Sequence, residues 1–114
     1  MGCSVAELAP LLDSARRALE LTPNRGREDF DPETVLGLAV VRLLEIVGEA
    51  ANRVSQDTRL RHPEIPWSQI VGLRNRLVHG YDSVDMDILW KILTTDLPSL
   101  VEQLETILAV EPET

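Results

Sequence analysis

Near the middle of the chain, Arg74, His79 and Tyr81 lie within eight residues of one another, with Asn75 and Arg76 beside the first of them. Their types suit attack on a phosphodiester. An imidazole titrates near neutrality and can take the proton of a ribose 2′-hydroxyl. A guanidinium can stabilise the phosphorane formed when that oxygen attacks the neighbouring phosphate, leaving a cyclic phosphate as product. The departing 5′-oxygen needs an acid as well. This motif holds one histidine, because the other, His62, falls in a proline-rich stretch, so a second copy of the chain would supply the acid. On a continuous helix five residues turn by about 140°, which would keep Arg74 and His79 on different faces. Gly80 lets the backbone leave helical angles, and an arginine is long enough to reach back along the axis. Spacing alone favours a plainer role, in which both side chains cap carbonyls at a helix end.

Other chemistries lack their usual residues. The chain has no glycine-rich phosphate loop, H-E-x-x-H, EF-hand loop or nucleophile elbow. Its one cysteine can form neither an intramolecular disulfide nor a cysteine-based zinc site, which fits a reducing compartment such as the cytoplasm. No metal and no cofactor is called for. No apolar run is long enough to cross a bilayer, and the N-terminus lacks a signal-peptide pattern. Met1-Gly2-Cys3 is not followed by the Ser or Thr that myristoylation prefers, since Ala6 stands there.

A formal net charge of −8 argues against coating nucleic acid by bulk electrostatics. From Arg53 to Tyr81, however, Arg53, Arg59, Arg61, Arg74 and Arg76 face only Asp57 and Glu64, so this segment carries +3 and the rest of the chain −11. Lys91 is the only lysine, and planar guanidinium groups suit bidentate phosphate contact better than an ammonium does.

The elements that must position these residues read as helices. With 114 residues, 44% hydrophobic and 26% charged, the chain is the size and composition of one globular domain, residues 1–114. Pro10 is expected to open a first helix with Leu11, Leu12, Ala15, Ala18 and Leu19 on its apolar side. A polar loop should span Thr22 to Pro32, with Asp31 capping the next helix. Leu36, Val40, Leu43, Val47, Ala50 and Val54 then recur at alternating four and three, widened by Val35, Ala39 and Ile46. This predicts a central helix to about Arg59, with Gly48 permitting close helix approach.

Pro63 and Pro66 make a tight linker, and a helix follows from Trp67 to Val78 with Gly80 as its stop. After a turn at Asp82 and Ser83, a last apolar pattern runs from Ile88 to Leu108, in which Pro98 is either a kink or a stop. No stretch alternates at period two. The prediction is all-α, an up-and-down bundle of four to five helices. So small a bundle buries only about two thirds of its unfolded surface, so apolar faces left over should pair two copies into a homodimer.

The segments LLEIVGEAANRV, HPEIPW, GLRNRLVHGY and VDMDILWKILTTDLPSLVEQLETIL together resemble the HepT-like group of HEPN proteins, the toxin halves of bacterial and archaeal toxin–antitoxin pairs. The similarity covers roughly Leu36 to Leu108. The family motif, Arg, four residues, His, one residue, Tyr, is complete as Arg74, His79 and Tyr81. The resemblance implies a metal-independent endoribonuclease acting on RNA at a dimer interface, of a type II or type VII-like system, with Arg74 and His79 catalytic. It implies that Asn75 supports the site and that a cognate minimal nucleotidyltransferase antitoxin modifies Tyr81 with AMP; Arg76 is read as an RNA phosphate contact, with plain solvent exposure as the equal alternative. Two other roles stay open: a non-catalytic helical partner that presents substrate to a nucleotidyltransferase, and a nucleotide-binding bundle using Arg74 and Arg76.

Overall fold

The computed structural model describes residues 4–78 and 84–110. In chain order these form α1 (Ser4–Leu19), a 3₁₀ turn (Arg27–Phe30), α2 (Val35–Asn52), α3 (Gln56–Arg61), α4 (Trp67–Val71), α5 (Leu73–Leu77), α6 (Met86–Lys91), a π-turn (Ile92–Asp96) and α7 (Leu97–Val110). The fold is all-α, as the periodicity predicts. Its rods are α1, α2, the broken pair α4–α5, and α6 running through the π-turn into α7, with α3 as a short link. Among the described residues there is no strand, only an isolated antiparallel bridge between Val78 and Val84. Among the described residues no helix is long and apolar enough to cross a membrane.

Helix α1 begins at Ser4 rather than at Pro10, which lies inside it. Pro10 removes the hydrogen bond to the Ala6 carbonyl, but both residues are exposed, so water can serve that carbonyl. Leu8, Leu11, Leu12, Ala15 and Ala18 are buried on the other side, against α2 and α7.

The expected polar loop carries an apolar plug. Phe30 ends the 3₁₀ turn fully buried, with its ring 6.0 Å from that of Trp90. The cap of α2 is Thr34, not Asp31: Thr34 Oγ1 accepts the Gly37 N–H at 3.0 Å, while Asp31 Oδ1 accepts the Glu33 N–H at 2.9 Å in the turn before the helix. Gly37 lies so close beneath this turn that a Cβ there would fall 1.9 Å from the Asp31 carbonyl oxygen.

The buried line of α2 runs through Gly37, Val40, Leu44, Val47, Gly48 and Ala51. Leu36, Leu43, Ile46 and Ala50 are half-buried, and Val35 and Ala39 are exposed. The apolar seam read from the sequence is thus rotated toward the two glycines, where neighbouring backbone approaches closest. At Gly48 a Cβ would sit 3.2 Å from the Ile70 carbonyl oxygen, the close helix approach expected of it.

Helix α2 stops at Asn52, short of the expected end near Arg59. Ser55 starts a new helix, its Oγ accepting the Thr58 N–H at 3.2 Å. Arg59 turns back and donates to the carbonyls of Ala51, Asn52 and Val54 at 3.0, 3.2 and 3.1 Å, satisfying the end of α2. The linker that follows is packed, with Ile65 buried and the Trp67 indole N–H donating to the His62 carbonyl at 3.0 Å.

The helix expected from Trp67 to Val78 is broken at Gly72 and ends at Leu77. Val78 is extended (φ −104°, ψ 119°), and the Asp85 N–H donates to the Leu77 carbonyl at 2.8 Å. The chain therefore leaves the helix before the expected stop. Gly80 itself and the Asp82–Ser83 turn lie outside the described residues.

Pro98 neither stops nor splits the last rod. The π-turn precedes it, with the Leu97 N–H reaching the Ile92 carbonyl five residues back. This widened turn makes room for the proline ring, which would crowd the carbonyl four residues earlier in a regular helix. The Thr94 hydroxyl donates to the Trp90 carbonyl at 2.7 Å. Leu89, Ile92, Leu93, Leu97, Leu100 and Leu104 are all buried along this rod.

Candidate functional site

Arg74 lies on α5, the short helix that Gly72 starts and Val78 ends. Its side chain is 71% exposed, and its Nε–H donates to Glu45 Oε2 on α2 at 3.0 Å. Glu45 is only 23% exposed and is shared: Arg42 Nη1 stands 3.6 Å from its other oxygen and 3.3 Å from Glu49 Oε1. These groups border an open groove of about 490 Å³, whose lining runs along α2 from Arg42 to Asn52 and includes Val71 and Arg74. With glycine at position 48, backbone forms part of its floor.

Asn75 is exposed beside Arg74. Arg76 is about 200° around the same helix and serves the opposite side, where its Nη2 pairs with Asp96 Oδ2 of the π-turn at 3.0 Å. The structure therefore does not bring Arg76 to Arg74. His79 and Tyr81 lie outside the described residues, as do the N-terminal residues 1–3.

The arginine-rich segment does not form one basic patch. Arg59 is spent on α2 carbonyls and stacks 6.0 Å from the Trp67 ring, while Arg61 pairs with Asp57 at 3.2 Å. Arg74 is the member of the segment that opens onto the groove. Among the described residues no group of three or more His, Cys, Asp or Glu side chains is placed to hold a metal ion. A wider depression between α1 and α7, crossed by the Arg16–Glu105 ion pair at 2.6 Å, contains none of the motif residues.

Arg42, Glu45, Glu49 and Asn52 escaped the sequence reading. Their spacing of three, four and three marks a polar stripe on α2, parallel to the apolar seam that dominated the pattern.

The family model described as "Ribonuclease HepT-like" matches residues 11–107. The chain belongs to the ribonuclease HepT-like family. A Methanocaldococcus jannaschii protein named "Putative RNase" is 37% identical to this HepT-like chain over 102 residues, covering 90% of it and 94% of the relative. "Probable ribonuclease HepT" of Thermococcus cleftensis is 38% identical over 100 residues, 84% of this chain and 91% of its own. A "Putative RNase" of Caldanaerobacter subterraneus is 35% identical over 91% and 93% of the two chains. No solved structure gives a significant match to this HepT-like chain.

Proposed function

We propose that this chain is a metal-independent endoribonuclease, the toxin of a type II or type VII-like toxin–antitoxin pair. In this proposal residues 1–114 form one domain that acts in the cytoplasm as a homodimer. A cognate nucleotidyltransferase antitoxin silences it by transferring AMP to Tyr81. The observation that carries the proposal is Arg74. In a HepT-like ribonuclease fold it stands on the surface with its Nε engaged and its two terminal nitrogens donating to none of the described residues.

Those nitrogens form the fork that binds two oxygens of one phosphate. His79 Nε2 or Nδ1 takes the proton from the ribose 2′-hydroxyl, the O2′–P bond forms, and the P–O5′ bond breaks. A second, protonated His79 from the other copy gives a proton to O5′, so the products are a 2′,3′-cyclic phosphate and a 5′-hydroxyl. Arg74 stabilises the charge that builds on the phosphorane. Val35 and Leu38, 85% and 62% exposed at the start of α2, support the pairing of two copies. An AMP group on Tyr81, two residues from His79 in sequence, would set a bulky anion against the arginine.

The test is purified protein incubated with transfer and messenger RNA in EDTA. Cleavage to cyclic-phosphate ends that is lost in His79→Ala is the expected result. No cleavage, or cleavage unchanged in His79→Ala, overturns the proposal.

A further inference from the structure

We infer that Glu45 is a positioning residue, which fixes the guanidinium of Arg74 so that its outer fork, and not its Nε edge, faces a bound phosphate. The inference rests on the ribonuclease role proposed for Arg74. A side chain that is 71% exposed samples many rotamers in water, and aligning it on the phosphorane would cost entropy as the transition state forms. Glu45 removes much of that freedom beforehand. Its carboxylate comes from the middle of an eighteen-residue helix, is three-quarters buried, and accepts from Nε alone at 3.0 Å. A carboxylate paired with the two terminal nitrogens would compete with phosphate for the fork, whereas one on Nε leaves both terminal nitrogens available.

The carboxylate is itself held. Arg42 Nη1 lies 3.6 Å from Oε1 of Glu45 and 3.3 Å from Oε1 of Glu49, so Arg74, Glu45, Arg42 and Glu49 form one alternating line of charge along the groove. Arg42 offsets the negative charge that Glu45 would otherwise present to incoming phosphate. The glycine at position 48 lets the backbone of α4 pack closely against α2 beside this line.

Removing the tether should lower turnover rather than substrate affinity, because misplacing a charge-stabilising group acts most strongly where charge develops. In Glu45→Ala, kcat on RNA should fall about tenfold while KM stays within about twofold, and Glu45→Gln, which keeps an acceptor oxygen, should recover most of the loss. The Arg74 Nε–H resonance should be protected from solvent exchange in the wild type and exchange rapidly in Glu45→Ala. An unchanged or raised kcat, a lowered KM with kcat intact, or a protected Nε–H in Glu45→Ala overturns the inference. If the wild type cleaves no RNA, the ribonuclease role falls, and the exchange measurement still decides whether Glu45 holds Arg74.

Discussion

Glu7 of α1 reaches across to α3 and accepts the backbone N–H of Ser55 at 2.7 Å, while its second oxygen accepts the hydroxyl of the fully buried Thr58. A carboxylate at the N-terminus of a helix binds orphan N–H groups and meets the favourable end of the helix dipole. The Thr58 hydroxyl first, and the Ser55 N–H second, hold the Glu7 carboxyl below its ordinary range near 4.5. A carboxylate with a depressed folded-state pKa contributes stability that is present above its unfolded value and is lost as pH falls through the folded one. Glu7→Gln should therefore cost about 1 kcal/mol at neutral pH, and the difference from wild type should shrink as pH falls below the ordinary carboxylate range. Urea melts of both proteins across that range check it.

The two buried glycines of α2 should respond differently to alanine. At Gly37 the new Cβ would overlap a backbone carbonyl at 1.9 Å, so Gly37→Ala should cost about 2 to 4 kcal/mol, through displacement of the turn at Asp31. At Gly48 the approach is 3.2 Å, and a gain of about 1 kcal/mol in helix propensity opposes the crowding. Gly48→Ala should stay within about 1 kcal/mol of wild type. Thermal melts separate the two.

Arg76 and Asp96 tie α5 to the π-turn through a pair that is about 30% exposed on each side. A double-mutant cycle with Arg76→Ala and Asp96→Ala should give a coupling of about 0.5 to 1 kcal/mol. If Arg76 also meets RNA, Arg76→Ala should weaken RNA binding and lower its salt dependence, and Asp96→Ala should not.

Arg74→Lys should lose most ribonuclease activity, on the order of a hundredfold, although the charge remains, because an ammonium offers no planar fork. Cleavage assays at matched protein concentration measure it, and full activity would count against the proposed role of Arg74.

Tyr81→Phe should still cleave RNA but resist a cognate nucleotidyltransferase supplied with ATP. Mass spectrometry of the treated variant should find no AMP, and an adduct on another residue would count against Tyr81 as the acceptor.

The helical class was legible because leucines and valines recur at helical spacing in every rod, a pattern that survives without knowing what each face meets. The candidate motif was legible because its members are close in sequence. What the sequence hid depends on backbone meeting backbone. The closeness of Gly37 to Asp31 moved the start of α2 to Thr34, and apolar periodicity has no signature for it. The end of α2 was hidden in the same way, since Arg59 reads as surface charge until its guanidinium is seen on three carbonyls. Glu45 was unremarked because its partner Arg74 is 29 residues away in sequence, and such pairs declare themselves only when two helices are laid side by side.

The widened turn at Ile92–Asp96 governs the phase of everything after it. It takes up one residue more than a regular turn of the same rise, so α7 keeps the phase that α6 sets despite the surplus. Winding the same residues as an uninterrupted α-helix would swivel α7 by about 100° about its own axis. Leu97, Leu100, Leu104 and Ile107, now inward, would swing away from the core as a group, and the ring of Pro98 would be forced onto the carbonyl it currently avoids. For this rod, the tally of residues ahead of the proline matters more than which polar side chains fill those places.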